Sequence, residues 1–340
     1  MTLPLLARHF PARLTGRLLG LPATPSLSIL IYHRVLSQPD ELMGGAPDVA
    51  AFDWQMALAA RHFNVLPLAE AVTRLREGRL PPRALCITFD DGYADNHHHA
   101  LPILRRHGLT ATFFIATGFL DGGCMWNDRI IESVRALAGT RLDLETLGLG
   151  EHPVATLAQR RKAIAAIIGQ TKYRPLAERE ETARRIQAIT GSAVPDDLMM
   201  QGAQVKALSD AGMEIGGHTV NHPILANCSE AQAREEIAGG KQYLEDLLGK
   251  PVRLFAYPNG KPGQDYLPQH GELLKSLGFE AAVSTVWGVS TRDTDPFQLY
   301  RFTPWDRQPV KFLLRLLANY RHTDPDRQHR AATTPARARR

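Results

Sequence analysis

Two adjacent carboxylates stand where an apolar run stops. Asp90 and Asp91 follow the stretch Leu85 to Phe89, and Gly92 comes next. Like charges in contact repel, and burying either one is costly unless a partner compensates it. Either both face water, or a cation lies between them and the rest of a site. A second constellation, His218 and His222 in "HTVNH", ends another apolar run. Alone, each signal says little: His-x3-His recurs by chance on surfaces, and Asp-Asp-Gly is more often a turn. Taken together, Asp91, His218 and His222 form a two-histidine, one-carboxylate set that leaves positions open on a divalent metal. Asp90 then remains beside the metal, free to act as a base. Successive strand side chains point to opposite faces, so two neighbours take different work only where the strand ends and the backbone turns. Gly92 permits that turn.

Elements must bring these residues together. Seven β-rich runs are spread along the chain: 27–35, 84–92, 110–120, 214–222, 253–260, 281–290 and 299–305. Most are continuously apolar, as parallel strands covered on both faces are. Helical patterns such as "DWQMALAARHF" and "GELLKSLGF" separate them, and several end in Gly. This order predicts an α/β fold, a (β/α) barrel of about seven strands, with an open doubly wound sheet as the competing architecture. His33 with Arg34, and Tyr257-Pro258-Asn259-Gly260, also end apolar runs. In a parallel barrel all such ends share one rim, the rim that carries chemistry. Residues about 127–205 break the rhythm with helical text and no good strand. They read as a helical insertion, either a cap over one mouth of the barrel or a packing elaboration.

The net charge of +5 is unevenly placed. Residues 1–25 hold three Arg and no acid, and residues 321–340 hold six Arg and two Asp, which leaves about −2 for 26–320. The body is not basic, so no nucleic-acid partner is expected. The division expected is a basic leader (1–25), a domain (26–320) and a disordered basic tail (321–340). No stretch approaches a membrane span. Arginines at 8, 13 and 17 interrupt the leader, so it lacks a clean signal-peptide core. A cytoplasmic or membrane-peripheral place is therefore expected over secretion, with peripheral contact open to both termini. Cys86, Cys124 and Cys228 are dispersed and odd in number, which indicates no disulfide framework. The run His97 to His99 opens a helix and fans out, and reads as solvated surface.

The pair "TFDDG" and "HTVNH" resembles the NodB-homology polysaccharide deacetylases, carbohydrate esterase family 4, over roughly residues 27–305. The resemblance implies a distorted (β/α) barrel, a divalent metal (usually zinc) and removal of N- or O-acetyl groups from polymers such as chitin, peptidoglycan, poly-N-acetylglucosamine and xylan. It makes Asp90 the general base, gives the metal to Asp91, His218 and His222, and has Thr219 steady the histidine loop. "FAYPNG" is similar to the third motif of the family, with the Tyr257 backbone amide in the oxyanion role. Two departures stand out. The arginine that opens that motif is missing, and Arg301 is the candidate substitute. The late Leu-x-His that supplies the acid in many members is absent, while "LIYHRV" is similar to exopolysaccharide deacetylases in which an early histidine takes that part, here His33. The implied reaction is metal-assisted hydrolysis of an N-acetylated sugar in an exopolysaccharide or cell-wall glycan. An O-acetyl esterase on a polysaccharide and a non-catalytic carbohydrate-binding relative are the alternatives, and the intact Asp90–Asp91 pair argues against the latter.

Overall fold

The computed structural model describes residues 25–42 and 44–323. Its centre is a parallel sheet. Strand β1 (Leu27–Tyr32) pairs with β3 (Ala84–Phe89) over its whole length, from Leu27 opposite Ala84 to Tyr32 opposite Phe89. From β3 the order runs through β4 (Thr112–Ile115), β7 (Glu214–Gly217), β8 (Leu254–Ala256) and β9 (Ala281–Trp287) to β10 (Leu299–Arg301). The sheet then curls back on its start. Ile31 N donates to Phe302 O at 3.1 Å, and Phe302 N donates to Ile29 O at 2.7 Å. This seam nearly closes a barrel and excludes the open doubly wound sheet.

Each strand is apolar on both faces because both faces are covered. Outside, Leu30, Ile87, Phe89, Phe113 and Phe255 pack against the surrounding helices, for example Phe52 and Met56 of α1 (Val49–His62). Inside, Ile29, Cys86, Phe114 and Val283 pack with Leu68, Val72 and Leu75 of α2 (Leu68–Arg76). Two-residue alternation along β3 sets Cys86, Thr88 and Asp90 on this inner side. All seven expected runs contain a strand, but each strand is shorter than its run. The C-terminal ends leave the ladder and turn, and these ends carry the polar residues. A further two-residue strand, β2 (Asn64–Val65), pairs with β3, too short to register as a pattern.

Between β4 and β7 the chain builds a small layer of its own. After α3 (Leu101–Arg106), which precedes β4, helices α4 (Trp126–Ala136), α5 (Leu157–Thr171) and α6 (Leu176–Thr190) enclose Trp126, Ile130, Val134, Ile164, Ile167 and Ile186. The expectation of no strand here is corrected. Strands β5 (Arg141–Asp143) and β6 (Glu151–Pro153) form an antiparallel hairpin and bury Leu142 in the same core. Three residues per strand give no readable alternation. Helix α7 (Gly202–Asp210) starts before residue 205 but sends Val205 and Leu208 into the core around the barrel, so it is a crossover helix. After β7 come α8 (Glu230–Leu248), α9 (Pro268–Ser276) and α10 (Pro309–Asn319). At the start of the expected tail, His322 O accepts from Val289 N at 3.0 Å, and its ring lies 4.7 Å from that of Trp287. The leader, 1–24, and the tail from 324 onward lie outside the described residues. Among the described residues, no helix is long and apolar enough to cross a membrane.

Candidate active site

The rim at the C-terminal strand ends gathers the predicted residues. Asp90 follows β3 and is held in the sheet by its N–H, which donates to Tyr32 O at 2.9 Å. Its carboxylate is 3% exposed and receives both arms of Arg301: Nη1 at 2.7 Å from Oδ1 and Nη2 at 2.8 Å from Oδ2. Arg301 ends β10, far away in sequence. Closure of the barrel places β10 beside β1 and so one strand from β3. The guanidinium is itself fixed, since Nε donates to Ser284 O at 2.7 Å. Burial opposes charge on Asp90, but Arg301 outweighs it with help from His218, and the carboxyl titrates below its usual range.

Asp91 turns the other way. It takes φ +79°, and Gly92 follows at φ +96°. The left-handed conformation is costly for an aspartate and is found where a site over-determines it. The turn aims Asp91 at His218 and His222, whose Nε2 atoms lie 3.4 Å and 3.5 Å from its Oδ1. One donor atom from each of the three residues falls within 4.8 Å of the others. His218 Nδ1 contacts Ala256 O at 2.7 Å. This fixes one ring proton on Nδ1 and turns Nε2 toward Asp91, where it donates when the ring is charged and can ligate a cation when it is neutral, the arrangement usual for a metal ligand. Burial works against the charge of Asp91, yet the His218 hydrogen bond and then the charge of His33 hold its carboxyl well below the usual range. Burial, and then the charge of His218, drives His222 down to about 3, so it is neutral. His218 is raised because the Asp91 hydrogen bond and the Asp90 charge outweigh its burial. Nε2 of both rings and Oδ1 of Asp91 converge on one point. Two imidazoles and a carboxylate around that point fit a divalent cation.

The histidine loop is braced from several sides. Thr219 and His222 adopt φ +68° and +52°, and Thr219 Oγ1 accepts from His222 N at 3.0 Å. Three supports were not read in the sequence. Glu236 of α8 accepts from Val220 N at 3.1 Å and from Asn221 N at 2.8 Å. Helix α8 comes this close because position 240 is glycine; a Cβ there would sit 2.9 Å from Thr219 O. Arg179 of α6, 2% exposed, donates to Asn221 O and His222 O, each at 3.0 Å, and lies 5.1 Å over the Trp126 ring. The insertion thus grips the loop that carries His222. In the sequence, Glu236 and Arg179 look like ordinary charges on amphipathic helices.

His33 lies exposed just past β1, close enough for its charge to act on both Asp90 and Asp91. Its carbonyl accepts from Asn96 Nδ2 at 2.9 Å, and Asp95 anchors the same loop through Val35 N (3.0 Å) and Arg34 Nε (2.8 Å). Tyr257 requires a correction. Its amide belongs to the sheet and donates to Val283 O at 3.3 Å, while its ring stacks on Tyr266 at 3.7 Å. One N–H cannot serve the ladder and an oxyanion together. Pro258 has none. The next amide is that of Asn259, at φ +59°, and it has no acceptor among the described residues. His98 of the histidine run meets Gln204 Nε2 at 3.0 Å, and none of the three joins the Asp91 cluster.

A model of the family described as polysaccharide deacetylase matches residues 77–145 and 181–282, just over half the chain. The chain belongs to the polysaccharide deacetylase family. Members of that family are hydrolases, and the match skips 146–180, the middle of the insertion. This polysaccharide deacetylase is similar to the Bacillus subtilis (strain 168) protein YxkH, 21% identical over 276 residues that cover 81% of this chain and 70% of that one. In fold it is similar to the Streptococcus pyogenes deacetylase PplD (TM-score 0.58, 20% identity, 87% of this chain and 99% of that one). IcaB from Ammonifex degensii is comparable (TM-score 0.55, 19% identity, 87% and 97%).

Proposed function

We propose that this deacetylase hydrolyses the acetamide of N-acetylated sugars in an exopolysaccharide or cell-wall glycan, releasing acetate and leaving a free amine on the polymer. The observation that carries the reading is the different fate of two adjacent carboxylates. Asp90 is paired bidentately with Arg301, and Asp91 is faced by His218 and His222. A divalent cation, zinc by family resemblance, held by Asp91, His218 and His222 would polarise the acetyl carbonyl and acidify water. Arg301 occupies one lone pair on each Asp90 oxygen and leaves others free, so Asp90 accepts the proton of the attacking water. The Asn259 amide, rather than that of Tyr257, donates to the oxygen that gains charge. Protonated His33 gives its proton to the sugar nitrogen as the C–N bond breaks. The acetate held by PplD is the acid product such a reaction leaves.

Acetate release from N-acetylglucosamine oligomers and from acetylated xylan, each with and without chelator, tests this reading. Release from the amide substrate that chelator abolishes is expected; release from xylan alone would make the protein an O-acetyl esterase. Asp90→Asn should keep its metal and lose roughly 10²–10⁴ in turnover. Asp91→Asn should lose the metal first. Reversal of that pattern would overturn the assignment.

A further inference from the structure

Three consecutive residues past the end of β1 are held by one dipeptide. Tyr32 O accepts from Asp90 N at 2.9 Å, so His33 begins one peptide away from the base. From there the chain leaves the sheet. The His33 imidazole is exposed and makes no hydrogen bond among the described residues, so its place depends on the backbone that carries it. Asn96 Nδ2 donates to His33 O at 2.9 Å and to Asp95 Oδ1 at 3.0 Å. Asp95 in turn accepts from Val35 N at 3.0 Å and from Arg34 Nε at 2.8 Å. The Arg34 guanidinium is covered as well. It lies 4.7 Å over the Tyr93 ring, whose OH is bound to Asp128.

The local backbone and the chemistry of the amide point the same way. The segment after Gly92 opens into a π-helical turn, Asn96–Ala100, in which Leu101 N–H reaches back to Asn96 O before α3 begins. Such wide turns are frequent at functional sites. Asp95 is 9% exposed and Asn96 is 0% exposed. Both neighbours of the Asn96 amide nitrogen are acceptors, which fixes the nitrogen on their side. The Asn96 Oδ1 is buried and has no donor among the described residues. A buried acceptor without a partner is costly, and a leucine of similar size would not carry that atom. The polar work of Asn96 is therefore donation, and it is directed at the segment that bears His33.

We propose that Asp95 and Asn96 are the positioning residues of His33: they clamp the backbone of residues 33–35 and so hold the imidazole beside the Asp90–Asp91 centre. Neither touches the imidazole itself. Asp90, Asp91 and the clamp lie on one short run of chain, so a single turn-and-helix segment sets base, metal ligand and acid relative to one another. The proposal rests on the reading of His33 as the acid.

The test measures kcat and KM on N-acetylglucosamine oligomers and on para-nitrophenyl acetate, for the parent, Asn96→Leu, Asp95→Asn and His33→Ala. A sugar nitrogen must gain a proton to leave, whereas the nitrophenolate leaves without one. Loss of metal or of folded protein lowers both rates; a misplaced acid lowers the first relative to the second. Asn96→Leu keeps the volume and removes both donors. Its kcat on the oligomer, relative to its kcat on the ester, should fall about 10- to 100-fold with KM nearly level, the scale on which a shift of about 1 Å in a reacting group acts. His33→Ala should show a fall in the same ratio at least as large. Asp95→Asn keeps an acceptor for Val35 N but loses the charge that holds Arg34, and its ratio should fall too; it decides the matter if Asn96→Leu does not fold. An unchanged ratio in both clamp variants, or rates that drop equally on the two substrates, would overturn the clamp and leave the acid in place. An unchanged ratio in His33→Ala would remove the acid assignment and the clamp with it, while metal-assisted hydrolysis would stand. A parent that releases no acetate from the oligomers would sink the deacetylase reading itself, and the clamp with it.

Discussion

Asp128 of α4 keeps a carboxyl where water is excluded. It is 2% exposed and accepts from Tyr93 OH at 2.8 Å, and burial pushes it up to about 7. An unfolded aspartate titrates near ~4. Between those values the unfolded chain has released this proton and the folded chain still holds it. Stability from this group therefore falls as pH rises from about 4 to about 7, by up to about 1.4 kcal/mol per pH unit, and then levels off. Asp128→Asn keeps the Tyr93 contact and has no proton to lose. In metal-free protein, the melting temperature of the variant relative to the parent should climb across that window. Parallel curves would mean that Asp128 is charged when buried. The contrast with Asp90 is instructive. Both are aspartates with almost no exposure, but Asp90 meets a bidentate guanidinium and titrates below its usual range, whereas Asp128 meets a phenol and is pushed up to about 7.

At the scale of elements, helix α6 and helix α8 hold the histidine loop from two directions. Glu236 takes its N–H groups and Arg179 takes its carbonyls. The loop has φ values that neither Thr219 nor His222 would choose alone. Arg179→Met keeps the stem over Trp126 and removes both donors. Metal affinity, read by competition with a chromogenic chelator, should weaken about 10- to 100-fold, the scale on which support around metal ligands acts. Arg179→Lys should recover part of that loss through one remaining donor. Unchanged affinity in Arg179→Met would show that Thr219 and Glu236 suffice. The insertion would then be packing alone, the other reading its sequence allowed.

For the molecule as a whole, the closing seam of the barrel matters most. Helix α10 follows it and locks it. Asn319 Nδ2 donates to Ser28 Oγ at 3.0 Å, and Tyr320 OH donates to Ala84 O at 2.6 Å. His322 then lies against Trp287. Removing residues 324–340 should leave the melting temperature unchanged. A truncation that begins at Tyr320 should cost about 3–5 kcal/mol, the scale of deleting a large buried aromatic side chain. It should also loosen Arg301, since β10 is the strand being clamped. Thermal melts of both truncations decide this; a large loss from the shorter one would mean that the terminal residues pack on the body.

The sequence alone carried the seven main strands, the barrel, the family and the grouping of Asp90, Asp91, His218 and His222. These rest on local signals: apolar runs with polar ends, and short motifs whose members lie within a few residues of one another. Contacts across long sequence separations have no such local signal, and only the tertiary structure decided them. Arg301 is only a candidate substitute in the sequence, from its place in the last strand region, and its two-armed bond to Asp90 depends on barrel closure. Tyr257 was misassigned because a motif does not say which amides a sheet has already taken; the partner of that amide, Val283, lies on the next strand. Arg179, Glu236 and the hairpin of the insertion were hidden for the same reason. A helix-borne charge reads as solvated until the fold buries it, and three-residue strands have no period to detect.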